Sequence, residues 1–245
     1  GINENNILKL KGTGVDGVAV VSAIFAKDNI EEAAKGLLAL SKEMTEAKPE
    51  IKKVLSIAGT DPTGGAGAQA DLKTITVHKL YGMSVITSLV AQNTMGVYDV
   101  IDTPPEFVAK QLDCVFQDIR PDAVKIGMVS NSKIIDVIVD KLNEYKAENI
   151  VVDPVMVSTS GGKLLSDEAC EALITKLLPL GAVITPNIPE AEVLCGFEIR
   201  NTDDMIRAAE KISELVDGGI LIKGGHLVST ATDLLYQNGE ITWFS

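Results

Sequence analysis

The sequence predicts an α/β fold built on a mainly parallel sheet with helices on both faces, and three observations point to it. Apolar strand-like runs alternate with helix-periodic stretches from about residue 52 onward. The run ending in Val151-Val152 is apolar throughout, as a strand covered on both faces would be. Glycines or polar residues follow the carboxyl ends of several runs, where ligands sit in sheets of this kind.

The elements follow in order. Strands are expected near 52–58, 83–90, 122–127, 149–152, 182–185 and 219–223, with helices near 66–80, 105–118, 131–146, 166–177 and 202–216. A closing hairpin is signalled by Leu234-Leu235-Tyr236 and Ile241-Thr242-Trp243 around the turn pair Asn238-Gly239. Ahead of this series, residues 14–25 form an apolar stretch with glycines that reads as a buried strand ending in a turn. Ile30, Ala33, Ala34, Leu37 and Leu38 then recur at helical spacing, with Asp28 as the expected N-cap. Residues 41–50 have the composition of a linker, which places a small first piece at 1–40 and the main domain at 51–245.

Composition narrows the function. With 245 residues, 46% of them hydrophobic and 23% charged, the chain can bury a substantial core. The net charge of −12 argues against nucleic acid as a partner, because a phosphate backbone calls for a basic face. Cys114, Cys170 and Cys195 form no CxxC pair, so reduced thiols are expected. No apolar run approaches the roughly 18 to 20 residues of a membrane span and no signal peptide is visible, so a cytoplasmic enzyme that avoids membranes is expected. The chain opens on Gly1 rather than methionine, which suggests a fragment or a processed product.

The segment after the first main strand carries four glycines in nine residues, from Gly59 to Gly67, and leads into a helix. Several backbone N–H groups meet at such a place, which suits a polar small molecule or, equally, a tight structural turn. Gly65-Ala66-Gly67-Ala68-Gln69-Ala70 satisfies the dinucleotide pattern GxGxxA, yet the ribose-binding acid due about 20 residues on is replaced by Val85-Ile86-Thr87-Ser88-Leu89-Val90. No Gly-Lys-Ser/Thr closes the loop either, so it is not a P-loop.

Asp71 and Gln92 stand near two strand ends, where a carboxylate and a carboxamide can read the edge of a nitrogen heterocycle. The plainer readings are helix N-terminal charge for Asp71 and loop hydrogen bonding for Gln92. Asp153 ends an apolar strand ahead of Ser158-Thr159-Ser160-Gly161-Gly162 and either faces a magnesium phosphate or caps a turn. Asn187, Glu190 and Glu192 offer oxygen ligands as a helix begins, with a capping box the preferred role of Glu192. Lys223-Gly224-Gly225-His226 suits a polyphosphate or an ordinary turn. His226 reads as a hydrogen-bonding group, and His78 falls on a helix surface. Their joint placement at one sheet edge is the stronger signal.

Taken together these motifs resemble the hydroxymethylpyrimidine/phosphomethylpyrimidine kinases of thiamine biosynthesis, within the ribokinase-like superfamily. The resemblance runs from about Ile51 to Ser245. It rests on residues 58–62 through Lys73-Thr74, on Ala91-Gln92-Asn93-Thr94, Lys125-Ile126-Gly127-Met128 and Asp153-Pro154-Val155-Met156, and on residues 185–192 and Lys223-Gly224-Gly225-His226. It implies a ribokinase-like three-layer sandwich. Gly59, Asp71, Val90, Gln92 and Met128 would shape a pyrimidine pocket, Asp153 and Glu190 would hold Mg2+, and Asn187 and Lys223 would contact the phosphates of ATP. The implied chemistry is two ATP-dependent transfers, first to the hydroxymethyl group and then to the resulting monophosphate, with room left for a homodimer.

Members of that family carry a further His-Gly-Thr-Gly-Cys-Thr-like segment after the hairpin, which forms an anion hole and supplies a reactive cysteine. None of the three cysteines here stands in such a setting, so no catalytic residue is assigned and weak phosphoryl transfer is expected of this stretch alone. The first 40 residues are similar to the carboxyl-terminal end of thiamine-phosphate synthase, a TIM-barrel enzyme. That similarity places Val21 and Ser22 at a thiazole-phosphate site and implies a bifunctional protein with the synthase first. Three alternatives stand beside the kinase reading: a pyridoxine or pyridoxal kinase of the same superfamily, a non-catalytic pyrimidine-binding module and, more remotely, a nicotinamide-dependent oxidoreductase.

Overall fold

The computed structural model describes residues 1–45, 51–156, 165–225 and 232–244. Residues 46–50 of the expected linker, the loop from Ser158 to Gly162 and His226 lie outside the described residues. The chain divides into two compact units, Gly1–Ile51 and Lys52–Ser245.

The first unit holds a 3-10 turn at Ile7–Leu10, a single helical turn α1 at Ser22–Phe25 and a longer helix α2 at Ile30–Met44. Ile7, Ala23, Leu37 and Met44 make its small core. Three expectations fail here. Residues 14–20 are irregular and mostly exposed, because no strand among the described residues of this unit completes a ladder of hydrogen bonds with them. The N-cap of α2 is Asn29 rather than Asp28, its side chain accepting from the Glu32 N–H at 3.1 Å. Finally, α2 continues through Met44, so the first residues of the expected linker are helical.

The second unit is built on an eight-stranded sheet. Its strands are β1 (Lys53–Ala58), β2 (Tyr81–Ile86), β5 (Ala123–Ile126), β6 (Ile150–Val152), β7 (Val183–Ile184), β8 (Gly219–Ile222), β9 (Asp233–Gln237) and β10 (Glu240–Phe244). Two further strands, β3 (Ser88–Asn93) and β4 (Gly96–Asp102), pair only with each other. The helices are α3 (Gly67–Val77), α4 (Pro105–Asp118), α5 (Ser132–Glu144), α6 (Asp167–Ala172), α7 (Ile188–Cys195) and α8 (Thr202–Ile212).

The strand order is β10-β9-β8-β7-β6-β5-β1-β2, parallel from β2 to β8 and antiparallel at β9 and β10. Leu55, Ser56, Ile57 and Ala58 are buried in succession, so β1 is covered on both faces and the sheet is the middle of three layers. From β1 the chain first moves to β2 on one side, and later to β5 and β6 on the other. The strand order therefore reverses between β1 and β5, which opens a crevice outside their carboxyl ends. The hairpin turn at Asn238 and Gly239 has positive φ at both residues, as a tight two-residue connection needs.

The strand expected at 83–90 is two strands. β2 ends at Ile86, and Thr87 then donates through its N–H to the Ala58 carbonyl and through its hydroxyl to the Met128 carbonyl, both at 3.1 Å. Those bonds turn the chain out of the main sheet and into β3, a bend that no glycine or proline marks. The helix expected at 166–177 keeps α-helical geometry to Ala172 and then widens into a π turn at Leu173–Leu177.

Gly67 places α3 against the end of β1. Its φ is +57°, and a Cβ there would come within 2.5 Å of the Gly59 carbonyl oxygen. Both the left-handed backbone and the close approach exclude a side chain. Gly67→Ala is expected to lower stability by about 1–3 kcal/mol, measured by urea denaturation.

Candidate active site

The glycine loop closes around a carboxylate of its own. Asp61 is almost fully buried, and its oxygens accept from the N–H groups of Thr63, Gly65 and Ala66 at 2.8–3.0 Å and from the Thr63 hydroxyl at 2.8 Å. Burial would raise this carboxyl, but hydrogen bonds from Gln92, Thr63 and Ala66 outweigh it and hold the group well below the usual carboxylate range. The Asp61 N–H in turn donates to the Gln69 side chain at 2.8 Å, and Lys73 Nζ donates to the Gly64 carbonyl at 2.7 Å. Donors that an external phosphate would need are thus taken up internally. Sequence reasoning passed over Asp61, although an aspartate two residues before a threonine in a glycine turn is the pattern of a side chain folding back on its own backbone.

At the carboxyl ends of β1 and β5 the expected heterocycle residues gather around the crevice. Asp71 on α3 accepts from the Ser56 hydroxyl at 2.7 Å and from Lys125 Nζ at 3.0 Å, so it is the partner of β1 and β5 residues rather than a helix-terminal charge. A Cβ on Gly59 would meet the Ser88 hydroxyl oxygen at 2.7 Å and the Met128 methyl at 3.2 Å, which shows how closely these residues pack. Val90 donates its N–H to the Thr60 hydroxyl at 2.9 Å, and Gln92 stands on the same face of β3. Lys125 was quoted only within a motif. Its role becomes visible once β5 lies beside β1.

Farther along the same edge stand the polar residues of β6, β7 and β8. Lys223 Nζ pairs with Asp153 at 2.7 Å, and the Thr185 hydroxyl donates to the same Asp153 oxygen at 3.1 Å. Asn187 caps α7: its side chain accepts from the Glu190 N–H, and Glu190 accepts from the Asn187 N–H, both at 2.9 Å. The capping-box acid is therefore Glu190, while Glu192 accepts from the Ile199 N–H at 2.7 Å beyond the helix end. Glu190 is buried, and that burial pushes its carboxyl up despite the nearby Lys223. Asp153 and Glu190 are two carboxylates, and no group of three or more metal-binding side chains gathers among the described residues.

From β1 to β8 there are four strand steps, or about 19 Å at the usual interstrand spacing. That length separates the crevice from Lys223. Of the remaining expectations, Val21 and Ser22 belong to the first unit, both are exposed, and they begin the four-residue turn α1. His78 is exposed at the end of α3. Cys114, Cys170 and Cys195 form no disulfide, and no helix among the described residues is long and apolar enough to cross a membrane.

Residues 61–245 match the family model for phosphomethylpyrimidine kinase. The chain belongs to this family. Its structure superimposes on crystalline phosphomethylpyrimidine kinase from Clostridium difficile 630 with a TM-score of 0.75 and 51% identity, over 79% of this chain and 84% of that one. Bacillus subtilis pyridoxal kinase, solved with ADP, gives a TM-score of 0.72 at 37% identity over 79% of this chain and 74% of that one. The family is one of phosphotransferases, and its ribokinase-like sheet is the sheet seen here. All 245 residues also align at 43% identity with the thiamine biosynthesis bifunctional protein ThiED of Geobacter sulfurreducens. The chain spans 50% of that relative's length.

The Asp61 contacts carry a pH dependence. A carboxyl depressed on folding contributes stability that is present above its ordinary value of 3.8 and is lost as pH falls toward the depressed one. Urea midpoints between pH 6 and pH 2 are expected to fall more gently below pH 4 in Asp61→Asn than in the parent, from a lower starting value at pH 6.

Proposed function

We propose that this phosphomethylpyrimidine kinase family member phosphorylates 4-amino-5-hydroxymethyl-2-methylpyrimidine with ATP, and then phosphorylates the monophosphate to the diphosphate. The observation that carries the proposal is the ordered row along one sheet edge. A crevice lined by Gly59, Asp71, Val90, Gln92 and Met128 lies at one end, and Asp153, Asn187, Glu190 and Lys223 lie at the other. The crevice offers mixed donors and acceptors suited to an aminopyrimidine. The far end offers a cation and two carboxylates suited to a magnesium polyphosphate.

In this reading Lys223 exchanges its Asp153 partner for a phosphate oxygen, and Asn187, whose side-chain oxygen is engaged in the cap, donates from its amide nitrogen. Asp153 and Glu190 fit a hard cation as oxygen donors, since Mg2+ is usually held by one or two carboxylates, water and substrate phosphates. When bound, Mg2+ would neutralise charge on the phosphates. The protein's main contribution is to hold the acceptor hydroxyl in line with the transferred group.

The alignment with a bifunctional relative supports a second part of the proposal: the first unit is the end of a thiamine-phosphate synthase barrel, with Val21 and Ser22 remaining from its phosphate site. The likeness to pyridoxal kinase favours one competing substrate, pyridoxal, for the second unit.

Calorimetry with the pyrimidine, together with ADP formation by the protein that carries this chain, tests the proposal. Pyrimidine-dependent ADP release is expected, with pyridoxal a poor competitor. Lys223→Ala should lower kcat by about 100-fold or more while leaving pyrimidine affinity within about twofold. Absence of pyrimidine binding, or a preference for pyridoxal, would refute the substrate assignment.

A further inference from the structure

Ser88 carries a hydroxyl that nothing in the fold uses. The residue has no exposed surface, and its Oγ has no hydrogen-bond partner among the described residues. A buried hydroxyl without a partner costs free energy, so it calls for an explanation. Ser88 cannot be a simple packing residue inherited from a regular strand, because its own backbone is engaged where the chain turns. Its carbonyl accepts from the Thr60 N–H at 2.9 Å, just after Thr87 has bonded the ends of β1 and the Met128 carbonyl.

Two features direct this hydroxyl to the crevice. Side chains alternate along a strand, so Ser88, Val90 and Gln92 share one face of β3. Their burial follows that alternation, with Leu89, Ala91 and Asn93 exposed on the opposite face. In addition, the hydroxyl oxygen and the Met128 methyl both lie against the α-carbon of Gly59, where no Cβ intervenes. Met128 is half-buried beside the buried Ser88 and Gly59, and its unbranched side chain is the flexible neighbour.

We propose that Ser88 is a substrate-contacting residue of the heterocycle pocket: when the Met128 side chain swings aside, the Ser88 hydroxyl bonds a polar atom on the edge of the bound pyrimidine. A hydroxyl both donates and accepts, so it can serve either a ring nitrogen or an exocyclic amine. The proposal rests on the pyrimidine reading of this site. It adds a pocket residue, and it gives Met128 a role as a movable cover rather than a fixed wall.

The test compares the parent with Ser88→Ala by calorimetry with hydroxymethylpyrimidine, by calorimetry with ATP, and by thermal unfolding without ligand. The expected result is a rise in the pyrimidine Kd of about 5- to 30-fold, as for one lost hydrogen bond. ATP affinity should be unchanged, and the ligand-free midpoint should be unchanged or higher because an unpartnered hydroxyl has been removed. An unchanged pyrimidine Kd in Ser88→Ala overturns this proposal alone. A lower ligand-free midpoint with parental affinity also overturns it, since the hydroxyl would then serve the fold. If the parent itself fails to bind the pyrimidine, the substrate reading falls and this proposal falls with it. As a second variant, Met128→Leu removes the most flexible part of the cover while keeping bulk. It is expected to slow pyrimidine association in stopped-flow measurements, and an unchanged association rate overturns the part assigned to Met128.

Discussion

The buried carboxylate of Asp61 is the contact on which the site's geometry depends. It gathers N–H groups from three residues of the glycine turn, so the turn has one shape rather than many. That shape presents Gly67 against the end of β1 and sets the direction in which α3 leaves the sheet. The direction of α3 brings Asp71 to Ser56 and Lys125. The adjoining Thr60 holds β3, donating its N–H to the Ser88 carbonyl and accepting from the Val90 N–H through its hydroxyl, and so anchors a strand outside the main sheet that would otherwise rest on a lone two-stranded ribbon. Asp61 and its neighbour Thr60 therefore tie the glycine turn to α3 and to β3.

The second determinant is topological. Because the chain leaves β1 toward β2 and later returns to its other side through β5, no crossover fills the space outside these two strands. The residues that follow them, Gly59 in one case and Gly127 with Met128 in the other, meet there. A Cβ on Gly127 would meet Lys125 Nζ at 2.8 Å and the Ala58 side chain at 3.2 Å, so a side chain there would have to displace the end of Lys125. Farther along the sheet, Asn187 and Lys223 are held in register by a single parallel bridge, which fixes the helix cap beside the lysine.

Much of this was legible in the sequence because it depends on local pattern. Alternating apolar runs and helical periods locate the main strands, and the pairing of Asn238 with Gly239 fixes the last hairpin. What could not be read depends on contacts distant in sequence. The break between β2 and β3 is made by Thr87 reaching Ala58 and Met128, which lie about 30 residues before it and about 40 after it. Residues 14–20 look like a strand by composition, but a strand also needs a partner, and partners are not local. The position of Asp71 could not be read from local pattern either, since it depends on an ion pair with a strand more than 50 residues away. The capping box fell to Glu190 rather than Glu192 because it is decided by which residue begins the helix, and Asn187 rather than a residue two positions later does so.

Because the Asp61 carboxylate lies just ahead of α3, bonded to the Gly65 and Ala66 N–H groups, its charge offsets the positive end of that helix dipole from within the chain. The crevice beside it then exerts little pull on an anion and favours a neutral ring. At the opposite end of the row, Lys223 is bridged to Asn187 at the start of α7 and paired with Asp153. A negative tail is received at that end only when it takes Lys223 from Asp153, and a substrate with an uncharged head and an anionic tail then has one preferred direction in which to lie.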